Sequence, residues 1–179
     1  MDTPVVIIDV LKDAIAAMQV AKPEITPVVY FTINFEPGLS VQILDSLKDK
    51  DGTSYSSLKY PLIAVLMPFS EKNNSGFLDV TFPRIIIANL TKTQTRTEKV
   101  IDKYSSDGVF KTILIPCLTE FKKRLAWSTS VNLGDPDMID CTVRHYPAVQ
   151  KIGDGLTDFV DMIEILNLNL QFYSSIKTC

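Results

Sequence analysis

The segment that most constrains this chain lies near its C-terminus. Phe159 to Tyr173 reads as one long strand, and from Leu166 it alternates cleanly. Leu166, Leu168, Leu170 and Phe172 fall on one side, Asn167, Asn169 and Gln171 on the other. A period of two puts one set on each face of a pleated strand, so this segment needs a core on one side and partner strands along its edges. A sheet must be built around it.

Other segments supply that sheet. Within Val28–Phe35, Val29, Phe31, Ile33 and Phe35 alternate with Tyr30, Thr32 and Asn34. Ile139, Cys141, Val143 and His145 alternate with Asp140, Thr142 and Arg144. Leu62–Met67 is continuously apolar, which fits a strand buried on both faces. Phe77–Leu90 is a further strand with Pro83 in its middle; proline cannot donate to a ladder, so the strand is at an edge or bulged there.

Helical spacing appears elsewhere. The N-terminal segment 1–25 carries a helix with Thr3 as N-cap and Pro4 at the first helical position. Ile7, Val10, Leu11, Ala14, Ile15 and Met18 form one apolar stripe, and Lys22-Pro23 ends the helix near Ala21. Val41, Leu44 and Leu47 fit a short helix, and Thr95–Tyr104 also reads as helical. The clearest stripe is Phe110, Ile113, Leu114, Cys117, Leu118, Phe121 and Leu125. Pro116 interrupts it, so that helix is kinked or starts near Ile115. Lys122, Lys123 and Arg124 then complement the negative end of the helix dipole.

Polar stretches punctuate these elements: 50–57, the turn SEKNNSG at 70–76, NLGDPD at 132–137, and a long connection at 147–157. The element order predicts an α+β fold, mainly an antiparallel β-sheet with helices packed on one face. We expect one domain over 1–179, with the N-terminal helix in 1–25 and a C-terminal tail at 174–179.

Composition closes off several classes. The net charge is -3, and Lys and Arg are scattered, with Lys122-Lys123-Arg124 their densest cluster. That is no footprint for specific nucleic-acid binding. The longest apolar run, Pro61–Phe69, is far below the roughly 20 residues of a membrane span. The acidic N-terminal stretch lacks the basic start of a secretory signal, so synthesis and folding in a cytosol are expected. Cys117, Cys141 and Cys179 lie far apart without CxxC spacing, which fits buried or terminal thiols in a reducing compartment.

The single histidine, His145, lies on the apolar side of its strand and fits a hydrogen-bonded core or interface residue better than a base. Cys117 belongs to a helix stripe and fits core packing. No G-x-S-x-G, GxxxxGK[ST] or GxGxxG is present. Gly153-Asp154-Gly155 fits a turn better than an anion site. Asp161 and Glu164, near Asp154 and Asp158, should point to opposite faces of their strand, a poor arrangement for a shared metal. Asp135 and Asp137 flank a proline and fit turn roles. No residue is assigned a catalytic, cofactor-binding or metal-binding role, and no cofactor is expected.

Several motifs together resemble a family of virion proteins of Bacteroidetes phages and prophages. They are Lys59-Tyr60-Pro61-Leu62-Ile63, Ile85-Ile86-Ile87-Ala88 before a Thr-rich turn, Leu114-Ile115-Pro116, and Phe159–Ile165 with Asn167-Leu168. The chain departs from the family pattern around Arg144-His145-Tyr146-Pro147. The family is similar to tail-terminator, tail-completion and neck-ring (head-tail connector) subunits, and the nearest setting is the neck of a crAss-like phage. The resemblance implies a tail-terminator-like α+β fold in a closed homo-oligomeric ring of about six or twelve copies. Its other partners would be neighbouring portal, neck or tail proteins, and DNA would pass through the channel without specific binding. The resemblance implies no enzymatic activity and no membrane contact. It places the protein in the virion neck or tail after assembly in the bacterial cytoplasm. Two further readings stay open: a non-virion assembly chaperone, and a small-ligand binder or enzyme.

Overall fold

A computed structural model describes residues 3–21, 28–32, 61–90, 100–149 and 160–173. The short helix expected at 41–48, the loop at 50–57, residues 95–99 and the tail at 174–179 lie outside them. The elements are α1 (Thr3–Ala21), β1 (Val28–Thr32), β2 (Leu62–Leu66), β3 (Ser70–Asn74), β4 (Phe77–Leu90), α2 (Ile115–Ala126), β5 (Asp140–Val149) and β6 (Val160–Tyr173). A 3-10 turn at Val100–Tyr104 and a π-helical turn at Phe110–Leu114 precede α2, and a second 3-10 turn at Pro136–Met138 precedes β5. The protein is α+β, built on a 6-stranded sheet in the order β1-β2-β4-β6-β5, with β3 also paired to β4.

Every pairing is antiparallel except one: β1 runs parallel to β2, from Val28 opposite Leu62 to Thr32 opposite Leu66. A mainly antiparallel sheet is what the element order predicts, and one parallel pair is compatible with it. The long stretch between β1 and β2 returns the chain in the same direction, as parallel pairing requires.

The alternating segments place their apolar sets as expected, with an instructive break. Ile63, Val65, Ile85, Ile87, Ile163 and Ile165 join one core with α1 and α2, as do Val80, Phe82, Leu168, Leu170 and Phe172. Within that core Phe82 and Ile85 face the helices, and so do Leu168 and Ile165 on the neighbouring strand, so both strands change face together. The change falls at Pro83 and Asn167, where the β4–β6 register skips a pair and Asn167 has φ 52°. Leu166 consequently leaves the face of Leu168 and is only half-buried. Strand β4 is central and its register with β6 is the same on both sides of Pro83, so neither an edge position nor a bulge but one unpaired position in the ladder accommodates the proline. The β3 register ends at Thr81 and the β2 register begins at Arg84, so the proline falls between neighbours and its missing N–H leaves no partner without a bond.

Two polar stretches are strand where loops were expected. Ser70–Asn74 pairs with β4 as β3, and only Ser75 (φ 40°) and Gly76 (φ 98°) make the turn. Positive φ at both central residues is the primed hairpin geometry that matches strand twist. Pro147–Val149 extends β5 past a register shift between Tyr146 and Val149.

The helices pack as one layer. The α1 stripe Ile7, Val10, Leu11, Ala14, Ile15 and Met18 is buried, against α2, whose Cys117 thiol lies 3.9 Å from the Met18 sulfur. Pro116 is resolved by the π turn. The chain is helical from Phe110, but the wider i→i−5 turn precedes the α-helix that starts at Ile115, so the proline ring meets no tight α turn behind it. Phe110, Leu114, Phe121 and Leu125 are fully buried, whereas Ile113 and Leu118 are half-buried at the margin. Gly108 is required between the two turns, because a Cβ there would sit 2.2 Å from the Lys103 carbonyl oxygen.

The opposite sheet face is apolar over its β2–β4–β6 half: Leu62, Ala64, Leu66, Ile86, Ala88 and Met162 are also buried. Strand β2 is thus buried on both faces. Towards the C-terminal end of β6 the same face turns polar.

Candidate functional site

Three polar constellations stand on this framework. The first ties the Val100–Tyr104 turn to the sheet. Lys103 Nζ donates to both carboxylate oxygens of Asp161, at 2.8 and 3.0 Å, and the side chains are 5% and 1% exposed. Buried Asn89 stands opposite Asp161 across the β4–β6 ladder. The anchored turn presents Ile101, 74% exposed, and Tyr104, 37% exposed. Tyr104 stacks on Phe110 and on His145, with ring centroids 4.4 and 5.9 Å apart, and its hydroxyl lies 3.3 Å from His145 Nδ1. Burial, and behind it the Asp161 carboxylate, push the Tyr104 phenol above its ordinary range. His145 is therefore an exposed member of an aromatic stack at the β5 edge, outside the core.

The second constellation is on the other face. Glu164 is buried there, paired with Arg84 and accepting a 3.0 Å hydrogen bond from the Tyr146 hydroxyl. Asp161 and Glu164 thus face opposite sides of β6, each with its own cation.

The third is a polar ladder over the C-terminal half of β6. Tyr173 donates to Asn132 at 2.8 Å, Asn132 to Gln171 at 2.7 Å, and Gln171 to Asp79 at 2.9 Å. Asn74 donates to the second Asp79 oxygen at 3.0 Å. Beside this, Thr81 donates to Asn169 at 2.6 Å and Asn169 to Asp140 at 2.9 Å. These donors, Gln171 first and then Asn74, hold the Asp79 carboxyl below its ordinary range, with Lys72 adding to the effect from the neighbouring strand. Because Thr81, Asn169 and Gln171 alternate with core residues Val80, Leu170 and Phe172, the ladder faces away from the helices. It floors a groove of about 430 Å³ lined by Asp79, Thr81, Asn169, Gln171, Asp140 and Asn132 among others, with Leu133 and Met138 as apolar contributors. Among the described residues, none of the lining side chains is basic.

At the end of α2 the chemistry is the reverse. Trp127 is 57% exposed, with Lys123 Nζ 4.6 Å and Arg124 Cζ 5.6 Å from its ring centroid. Buried Glu120 holds both cations in place, Arg124 through bonds of 2.8 and 2.6 Å and Lys123 at 3.7 Å. The indole and its two cations form one rigid knob.

The remaining sequence candidates occupy structural places. Cys117 is buried, and burial pushes its thiol up to about 12. Cys141 is half-buried and also raised, chiefly by burial. Asp135 caps its turn by accepting from the Asp137 N–H at 2.9 Å. Gly153, Asp154, Gly155, Asp158 and Cys179 lie outside the described residues. Among the described residues, no group of three or more His, Cys, Asp or Glu could hold a metal ion, and no helix is long and apolar enough to cross a membrane.

Sequence reading found neither the ladder nor the knob. Partners such as Gln171 and Asp79 are 92 residues apart, so no local spacing marks them. A signal was available only in composition: Asn169 and Gln171 fill the outward side of the C-terminal end of β6, with no Lys or Glu beyond Glu164. No protein-family model, curated protein or solved structure matches the chain.

Proposed function

We propose that this chain is a structural virion protein that assembles with copies of itself into a closed ring in a phage neck or tail, around the DNA channel. The observation that carries the reading is the margin of β5. Among the described residues this strand pairs only with β6, so its outer edge has no strand partner among them. Large apolar side chains are exposed beside it: Ile101 and Tyr104 on the anchored turn, and Met138 just before the strand. An open edge flanked by exposed apolar residues is a liability for a protein that stays monomeric and an asset for one that is covered by a neighbour.

Two further features support the reading. The motifs that resemble phage neck and tail subunits fall on the framework elements β2, β4, β6 and the start of α2. The net charge of -3 suits a channel wall that lets DNA slide, since a basic wall would hold phosphates.

The test is the mass of the purified chain in solution, with the protein composition of purified particles alongside. The expected result is a closed oligomer of fixed copy number, and stoichiometric presence in particles. Ile101→Glu should weaken the oligomer without lowering the melting temperature. A chain that stays monomeric at every concentration and is missing from particles would overturn the proposal, and presence only in infected cells would favour an assembly chaperone.

A further inference from the structure

We propose that the polar groove on the outward sheet face receives the Trp127 end of α2 from a second copy of this chain. The inference rests on the ring reading and gives it a pair of contact surfaces.

The first argument is charge. The groove has two carboxylates, Asp79 and Asp140, and no basic side chain among the described lining residues. The knob belongs to Lys122-Lys123-Arg124, the densest basic cluster in the sequence. Groove and knob are complementary, and juxtaposed charges of opposite sign fix both partner and register.

The second argument is composition and fit. Trp and Arg dominate the energetic centres of protein interfaces, where an aromatic anchor fills a pocket next to desolvated polar groups. A groove of about 430 Å³ falls in the size range that holds a group of several rings. Leu133 and Met138, the latter 72% exposed, offer the indole an apolar wall. The carboxylates already accept from Gln171, Asn74 and Asn169, so their oxygens stay bonded when covered, and the cations of the knob would supply the opposite charge. Both surfaces are pre-organised, the knob by Glu120 and the groove by its ladder, which lowers the ordering cost of association.

The third argument is geometry. The knob belongs to the helix layer, while the groove opens on the opposite face of the sheet. Trp127 does not line the groove of its own copy, so the proposed contact is heterologous: each subunit gives a knob to one neighbour and a groove to the other. Such a contact generates a ring when its rotation closes.

A mixing experiment on the full chain tests this. Two variants are made: Trp127→Ala with Lys123→Glu, which spoils the knob, and Asp140→Lys, which spoils the groove. Each should keep its melting temperature and weaken self-association at least about 30-fold, the loss expected of a hot-spot contact. Mixed together, they retain one good knob and one good groove, so they should form a 1:1 dimer that cannot close. If Asp140→Lys lowers the melting temperature, Met138→Glu at the groove lip takes its place. Wild-type rings with unimpaired variants would overturn this inference and leave the ring reading standing. A wild-type chain that never oligomerises would overturn both.

Discussion

Lys103 and Asp161 show what one buried pair decides. Taking each ion out of water costs several kcal/mol, and the pair offsets this only through close hydrogen-bonded geometry. The two bonds of 2.8 and 3.0 Å supply it. The consequence is asymmetric. Lys103→Met leaves a buried carboxylate without its cation and is expected to cost about 3–5 kcal/mol, whereas Lys103→Met with Asp161→Leu should recover most of that loss. Urea unfolding of both variants measures the difference, and equal losses would mean that packing, not charge, holds the turn. This pair also supports the proposed assembly surface, since it seats the turn carrying Ile101 and Tyr104. Along the sequence Asp161 stands near other acids, Asp158 and Glu164. Its true partner is 58 residues away, on a segment read only as a helix, so no spacing rule joined them.

At the level of elements, what the sequence made legible tracks hydrophobic periodicity. The α1 stripe, β2, the ends of β4 and the helical face of α2 follow their apolar spacing. Strand β3 does not, because SEKNN is polar throughout and fully exposed, so its pairing rests on backbone bonds that leave no pattern in the side chains. The break in β6 was hidden for the opposite reason: Asn167 fits the alternation so well that nothing marks the face change there. Proline 83 announced only its own half of that break. The left-handed backbone of Asn167 gives a direct test. That conformation costs an ordinary residue about 1–2 kcal/mol, is tolerated by asparagine and is free for glycine. Asn167→Val should therefore destabilise the protein by at least about 1–2 kcal/mol in urea unfolding, while Asn167→Gly stays close to wild type. If valine were as well tolerated as glycine, the two strands would not change face at this point.

For the whole molecule, the layer arrangement was legible and the assembly surfaces were not. A mainly antiparallel sheet with helices on one face follows from the order and period of the segments; the parallel β1 does not, because direction is set by a connection whose path no periodicity encodes. Groove and knob emerge only when β4, β5, β6 and the end of α2 are brought together. They carry a prediction that needs no mutation to begin. Trp127 is the single tryptophan of the chain, so its emission reports this one position. In an isolated subunit the indole is 57% exposed to water. Seated against Leu133 and Met138 of a neighbour, it should emit at shorter wavelength. Diluting the wild-type protein should therefore shift the emission to longer wavelength, with a midpoint that coincides with loss of oligomer mass. Because the contact pairs opposite charges near a rim, raising salt should move the midpoint to higher protein concentration. Asp140→Lys should hold the long-wavelength emission at every concentration. An oligomer whose tryptophan emission does not change with dilution would place Trp127 outside the contact, even if the ring itself forms.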